Sequence, residues 1–115
     1  MSKKVYFTIT GTDYYTGDRF FEKGMTVDLV KDRANEYDSE AIKVSLEGLG
    51  TVGYVANSTH TVLGESYSAG RLYDKIGDTA EGTVMYVTER GIIGCIDIQA
   101  EKVLESAVKT AIEAM

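Results

Sequence analysis

The feature that most restricts what this chain can fold into is a series of short runs in which apolar and polar residues alternate, each ended by glycine or a polar turn. Residues 26–30 (Thr-Val-Asp-Leu-Val) and 41–46 (Ala-Ile-Lys-Val-Ser-Leu) repeat with period two. That is the period of a strand with one face on a core. Residues 5–10 are β-branched and aromatic and stop at Gly11, while 82–87 and 92–98 read as two further strands joined through Glu89, Arg90 and Gly91. Gly48-Leu49-Gly50 turns 41–46 back onto 51–55 as a hairpin. About six strands without an internal repeat or linker predict a mainly β fold, a small barrel with helices packed on it.

Two helices are expected. Asn57 and Ser58 are good N-cap residues, and Val62, Leu63 and Tyr67 give a short apolar face that Gly70 can end. Residues 72–76 fit either helix or strand. In the tail, Ala100, Val103, Leu104, Ala107, Val108, Ala111, Ile112 and Met115 recur at steps of three and four, predicting an amphipathic helix over 99–115. Its apolar face has two readings: cover for its own barrel, or a seam for a weak homodimer. A chain of 115 residues supports one domain, here 1–115, with one core.

Composition excludes several chemistries. Cys95 is the only cysteine and His60 the only histidine, so neither a disulfide nor a zinc site is expected. No nucleophile motif accompanies His60 and no phosphate-loop glycine pattern is present, so no catalytic residues, metal or cofactor are expected. No run approaches the ~18 apolar residues of a membrane span, and the opening Met1-Ser2-Lys3-Lys4 leads into polar alternation. The expectation is a cytoplasmic protein with no membrane partner. A net charge of −6 argues against a long phosphate-neutralising channel, so any nucleic-acid contact must be local.

The most informative stretch is Asp32-Arg33-Ala34-Asn35-Glu36-Tyr37-Asp38-Ser39-Glu40-Ala41-Ile42-Lys43-Val44, followed by Val52-Gly53-Tyr54-Val55 and preceded by Gly11 and Tyr14-Tyr15-Thr16-Gly17. In this order and spacing the segments closely resemble the HIRAN domain. That family occurs at the N-terminus of helicase-like DNA-repair remodelling proteins and as short free-standing bacterial proteins. The resemblance is fullest over residues 5–55, extends to about 98, and hardly touches the tail.

The resemblance implies an OB-like β-barrel that binds single-stranded DNA and, in the repair proteins, captures a 3′ end. It assigns Tyr14 and Tyr15 to stacking on terminal bases, and Tyr37 with Asp38 to the terminal nucleotide. There a carboxylate can accept a hydrogen bond from a 3′-hydroxyl and repel a terminal phosphate. Asn35 falls where the family's loop amide lies, Tyr54 on a strand that reaches the ligand, and Lys43 where a phosphate contact is possible. Two positions depart from the pattern: Asp13 stands where repair-type domains carry Arg, and Glu36 where Pro is usual.

Plainer readings stand beside these. Tyr14 and Tyr15 could cap the barrel, one ring packed and one exposed. Asp38 could fix its turn by accepting backbone N–H groups, Asn35 could shape the loop, Tyr54 could pack, and Lys43 could be solvated. Gly53 is read as a site of close backbone approach and Cys95 as a small buried hydrophobe. Two functions therefore remain open: a module for single-stranded DNA, or a protein-interaction domain with an acidic surface that binds no DNA.

Overall fold

A computed structural model describes residues 2–15 and 19–99. The strands are β1 (Ser2–Thr10), β2 (Thr26–Lys31), β3 (Ile42–Leu46), β4 (Gly50–Val55), β5 (Thr79–Thr88) and β6 (Gly91–Gln99), with one short helix, α1 (Ala69–Tyr73). They close into a barrel in the order β1-β4-β3-β2-β5-β6, every neighbour antiparallel. The tail expected to be helical lies outside the described residues.

Alternation is what builds this barrel. Val5, Phe7 and Ile9 of β1, Val27 and Leu29 of β2, and Ile42, Val44 and Leu46 of β3 all turn inward and are buried. Their polar neighbours face out, because a strand sends successive side chains to opposite faces. Phe7 is fully buried and lies on the long β1–β6 ladder, directly opposite Gly94. A Cβ at Gly94 would run into the Phe7 ring, and one at Gly82 would stand 3.1 Å from it. The ring fills the room that both glycines leave. Gly53 plays a similar part on the other side, where a Cβ would come to 2.8 Å from the Thr10 carbonyl oxygen, as its reading as a close-approach position requires.

The hairpin of β3 and β4 forms as expected, closed by the Leu49 N–H donating to the Leu46 carbonyl at 3.0 Å. The helix after β4 lies elsewhere than its sequence signal suggested. From Ser58 the chain makes one turn only, and Gly70, expected to end a helix, lies inside α1. The reason is the flank of β1. Only Ile9 and Thr10 pair with β4, which leaves the backbone of Tyr6 and Thr8 needing partners. Ala56 N–H donates to the Thr8 carbonyl and Tyr67 N–H to that of Tyr6, at 2.8 and 2.6 Å. The buried Thr8 and Ser66 hydroxyls meet at 2.7 Å, and Leu63 N–H donates to Thr8 Oγ1. Residues 56–67 are thus spent sealing β1. Only then does Ser68 act as N-cap, its Oγ accepting from Arg71 N–H at 3.2 Å.

Cys95 is buried, and burial pushes its thiol pKa up, as suits a small core residue.

Replacing Gly94 by Ala should force a methyl into the Phe7 ring and cost about 1–3 kcal/mol of stability. A urea midpoint that falls at unchanged slope would show this. An unmoved midpoint would mean that the ring has room to spare.

Candidate functional site

The site grows from the end of β2. Asp32 follows that strand directly, its N–H donating to the Ala41 carbonyl at 2.8 Å, so the loop 32–41 leaves and rejoins the barrel at one point. Asn35 then organises the loop: its Oδ1 accepts from the N–H groups of both Tyr37 and Asp38 at 2.9 Å. This is the loop-shaping role, and it leaves the Tyr37 ring 96% exposed. Asp38 is held in turn. Its Oδ1 accepts from Glu40 N–H at 2.9 Å, and its Oδ2 from Asn57 Nδ2 at 3.0 Å. A carboxylate offers about four lone-pair positions, so Asp38 keeps acceptor capacity for a ligand.

Asp32 carries a second cluster behind the first. Its Oδ2 accepts from the Tyr54 hydroxyl at 3.0 Å and from Asn35 Nδ2 at 3.2 Å, and Lys43 Nζ lies 4.0 Å from its Oδ1. Lys43 and Tyr54 are cross-strand partners on β3 and β4, which is why one carboxylate can reach both. Burial first, and then the hydrogen bond to Asp32, pushes the Tyr54 phenol up to about 12.

The tyrosine pair comes from the other end of β1. Gly11 adopts φ 74°, a left-handed value that glycine takes without strain, and starts a 3₁₀ turn over Thr12–Tyr14. Tyr14 points into solvent at 89% exposure, whereas Tyr15 is half covered, its ring centre 6.5 Å from that of Tyr54. Thr16 and Gly17, the rest of that motif, lie outside the described residues.

Asn35, Tyr37, Asp38 and Tyr54 line one open cleft of about 470 Å³, together with Asn57 and Ser58. Tyr15 joins it through Tyr54. Tyr14 and Lys43 do not line it: Tyr14 stands on the turn beside Tyr15, and Lys43 stands by Asp32. Two residues of the site carried no role in the sequence reading. Asp32 opens the diagnostic stretch but is silent until the fold brings Tyr54 to it, and Asn57 reads as a helix cap although it serves Asp38. Among the described residues no three His, Cys, Asp or Glu side chains are grouped to hold a metal ion, and no helix is long and apolar enough to cross a membrane.

A closed antiparallel barrel with a polar, tyrosine-rimmed cleft defines a small binding module. The HIRAN domain profile matches residues 2–106, and the chain belongs to the HIRAN domain family. HIRAN domains are non-catalytic nucleic-acid-binding modules. Two solved structures share the fold. The HIRAN domain of human HLTF is similar at 22% identity with a TM-score of 0.55, over 90% of this chain and 81% of that one. A structural-genomics protein from Lactobacillus plantarum is similar at 20% identity with a TM-score of 0.55, over 86% of this chain and all of that one. No curated protein matches the chain.

The Tyr54 phenol favours the folded state at every pH below 10.0, its ordinary value, and that contribution fades as pH rises towards about 12. Tyr54→Phe should therefore flatten the alkaline loss of stability across that window and remove a phenolate that forms near 12 in an ultraviolet titration. If the phenolate lost on substitution is one that forms near 10.0, the Asp32–Tyr54 pairing is wrong.

Proposed function

We propose that this protein binds single-stranded DNA at its 3′ end in the cleft between the 32–41 loop and β4. The observation that carries this reading is the state of Asp38. It is a carboxylate anchored by two hydrogen bonds, with acceptor capacity left over, beside the almost fully exposed Tyr37 ring. Such a group accepts from a sugar hydroxyl and repels a terminal phosphate. It is also already ordered, so little conformational entropy is lost when the ligand arrives.

Stacking supplies the affinity. Tyr14 and Tyr37 expose large aromatic surfaces from short, hydrogen-bonded turns, which supports their use as platforms for bases of any sequence. Tyr54 is held by Asp32 and Tyr15, and forms the floor beneath the end group. Lys43 neutralises part of the Asp32 charge and keeps the floor from repelling the strand.

The test is fluorescence anisotropy with a labelled single strand of ~10 nucleotides, within the usual OB-fold range, at low salt. Wild type should prefer a free 3′-hydroxyl over a 3′-phosphate. Tyr14→Ala should weaken both by about 1–3 kcal/mol, the worth of one stacked base. Asp38→Asn should erase the preference between ends. Absence of binding at high micromolar protein would overturn the proposal and favour the reading as a protein-interaction domain.

A further inference from the structure

Beside α1, three cations converge on one ring. The Arg71 guanidinium lies 4.0 Å from the centre of the Tyr67 ring and the Lys75 ammonium 5.9 Å from it, while Lys3 Nζ stands 3.5 Å from the Tyr67 hydroxyl. Gathering like charges costs energy unless something offsets it. The ring quadrupole does so only in part, and it orders the cations without neutralising them. Among the described residues the ion pairs are Arg33–Asp78 and Lys43–Asp32, neither of which involves these three. Among those same residues, Glu65 is the one carboxylate lining the adjoining cleft of about 520 Å³. In a chain of net charge −6, this is a cluster of three cations gathered on one aromatic ring, with Asp74 at the end of α1 and the Glu40 carboxylate at Gly70 as acidic neighbours.

Its position is tied to the end-binding cleft by a short relay. Asn57, which donates to Asp38, accepts through Oδ1 from Gly70 N–H at 2.8 Å. The approach there is close enough that a Cβ on Gly70 would come to 2.8 Å from the Glu40 carboxylate. Arg71 is the next residue, so the cationic surface begins where the cleft ends.

We infer that Lys3, Arg71 and Lys75, gathered on Tyr67, form a second contact for the same DNA strand, taking the phosphates of nucleotides that lead away from the captured end across α1. The inference rests on the proposed end binding and adds its direction. The strand terminates at Asp38 and runs over α1 towards the start of β1. Arg71 contributes both charge and a flat guanidinium whose outer face can stack on a base.

Length dependence separates this from end capture. Anisotropy is measured over a salt series with a tetranucleotide, too short to span both places, and with a strand of ~12 nucleotides, both bearing free 3′-hydroxyls. Arg71→Gln and Lys75→Gln should each weaken the longer strand several-fold and reduce the steepness of its salt dependence by about 0.7, the value of one phosphate contact on a single strand. Tetranucleotide binding and the preference for a 3′-hydroxyl should not move. Arg90→Gln, an equal charge change on the turn between β5 and β6, should leave both lengths unaffected. If the longer strand keeps its full salt dependence in the Arg71 and Lys75 variants, or if Arg90→Gln weakens it as much, the second contact is wrong while end capture stands. If wild type binds neither length, both are wrong.

Discussion

Closure of the barrel depends on a single exchange of volume, in which the Phe7 ring occupies the space that Gly82 and Gly94 leave empty. With side chains at those positions, β5 and β6 could not approach β1 with the ring inside. With the ring withdrawn, the centre of the core would hold a void, and large-to-small changes of this kind cost about 3–5 kcal/mol. Everything on the rim follows from that fit. On one edge β1 pairs with β6 from Ser2 to Ile9, and on the other only Ile9 and Thr10 reach β4. Its remaining backbone groups must then be met by the 56–67 segment, which carries Asn57 to Asp38 and delivers Gly70 to Asn57.

The cleft is stabilised in a way that leaves its chemistry available. Each hydrogen bond that orders the 32–41 loop is worth about 0.5–1.5 kcal/mol net, and those to a carboxylate about 1.5–3. The Asp32 and Asp38 clusters together fix the loop without a large apolar contribution. By contrast, the Arg33–Asp78 pair is solvent-exposed and contributes little, although each partner shifts the other's pKa away from its ordinary value in the direction of the charged form.

The strands were legible because half-burial imposes a period of two on the sequence. Residues 26–30 and 41–46 could hardly be read otherwise, and the hairpin glycines 48 and 50 lie where the chain reverses with positive φ. The helix after β4 was misplaced because Ser58 and Ser68 are equally good caps locally. What separates them is the need of Tyr6 and Thr8 for backbone partners, a demand made by residues some fifty positions away. The same limit hid Asp32 and Asn57. Their partners, Tyr54 and Asp38, are distant in sequence, and a lone Asp or Asn carries no local sign of whom it will serve. Asn35, Tyr37, Asp38 and Tyr54, singled out by motif spacing, line one cleft.

The closed strand order has a consequence for evolution. Each described strand is hydrogen-bonded to a neighbour on either side, and the open stretch of ladder lies where β1 and β4 diverge beyond their two paired positions. Side chains on the turns can change one at a time without disturbing the main-chain scaffold. Asp13 and Glu36 lie on such turns. A family built this way can retune what it grips, or give up one partner for another, while its backbone remains the same object.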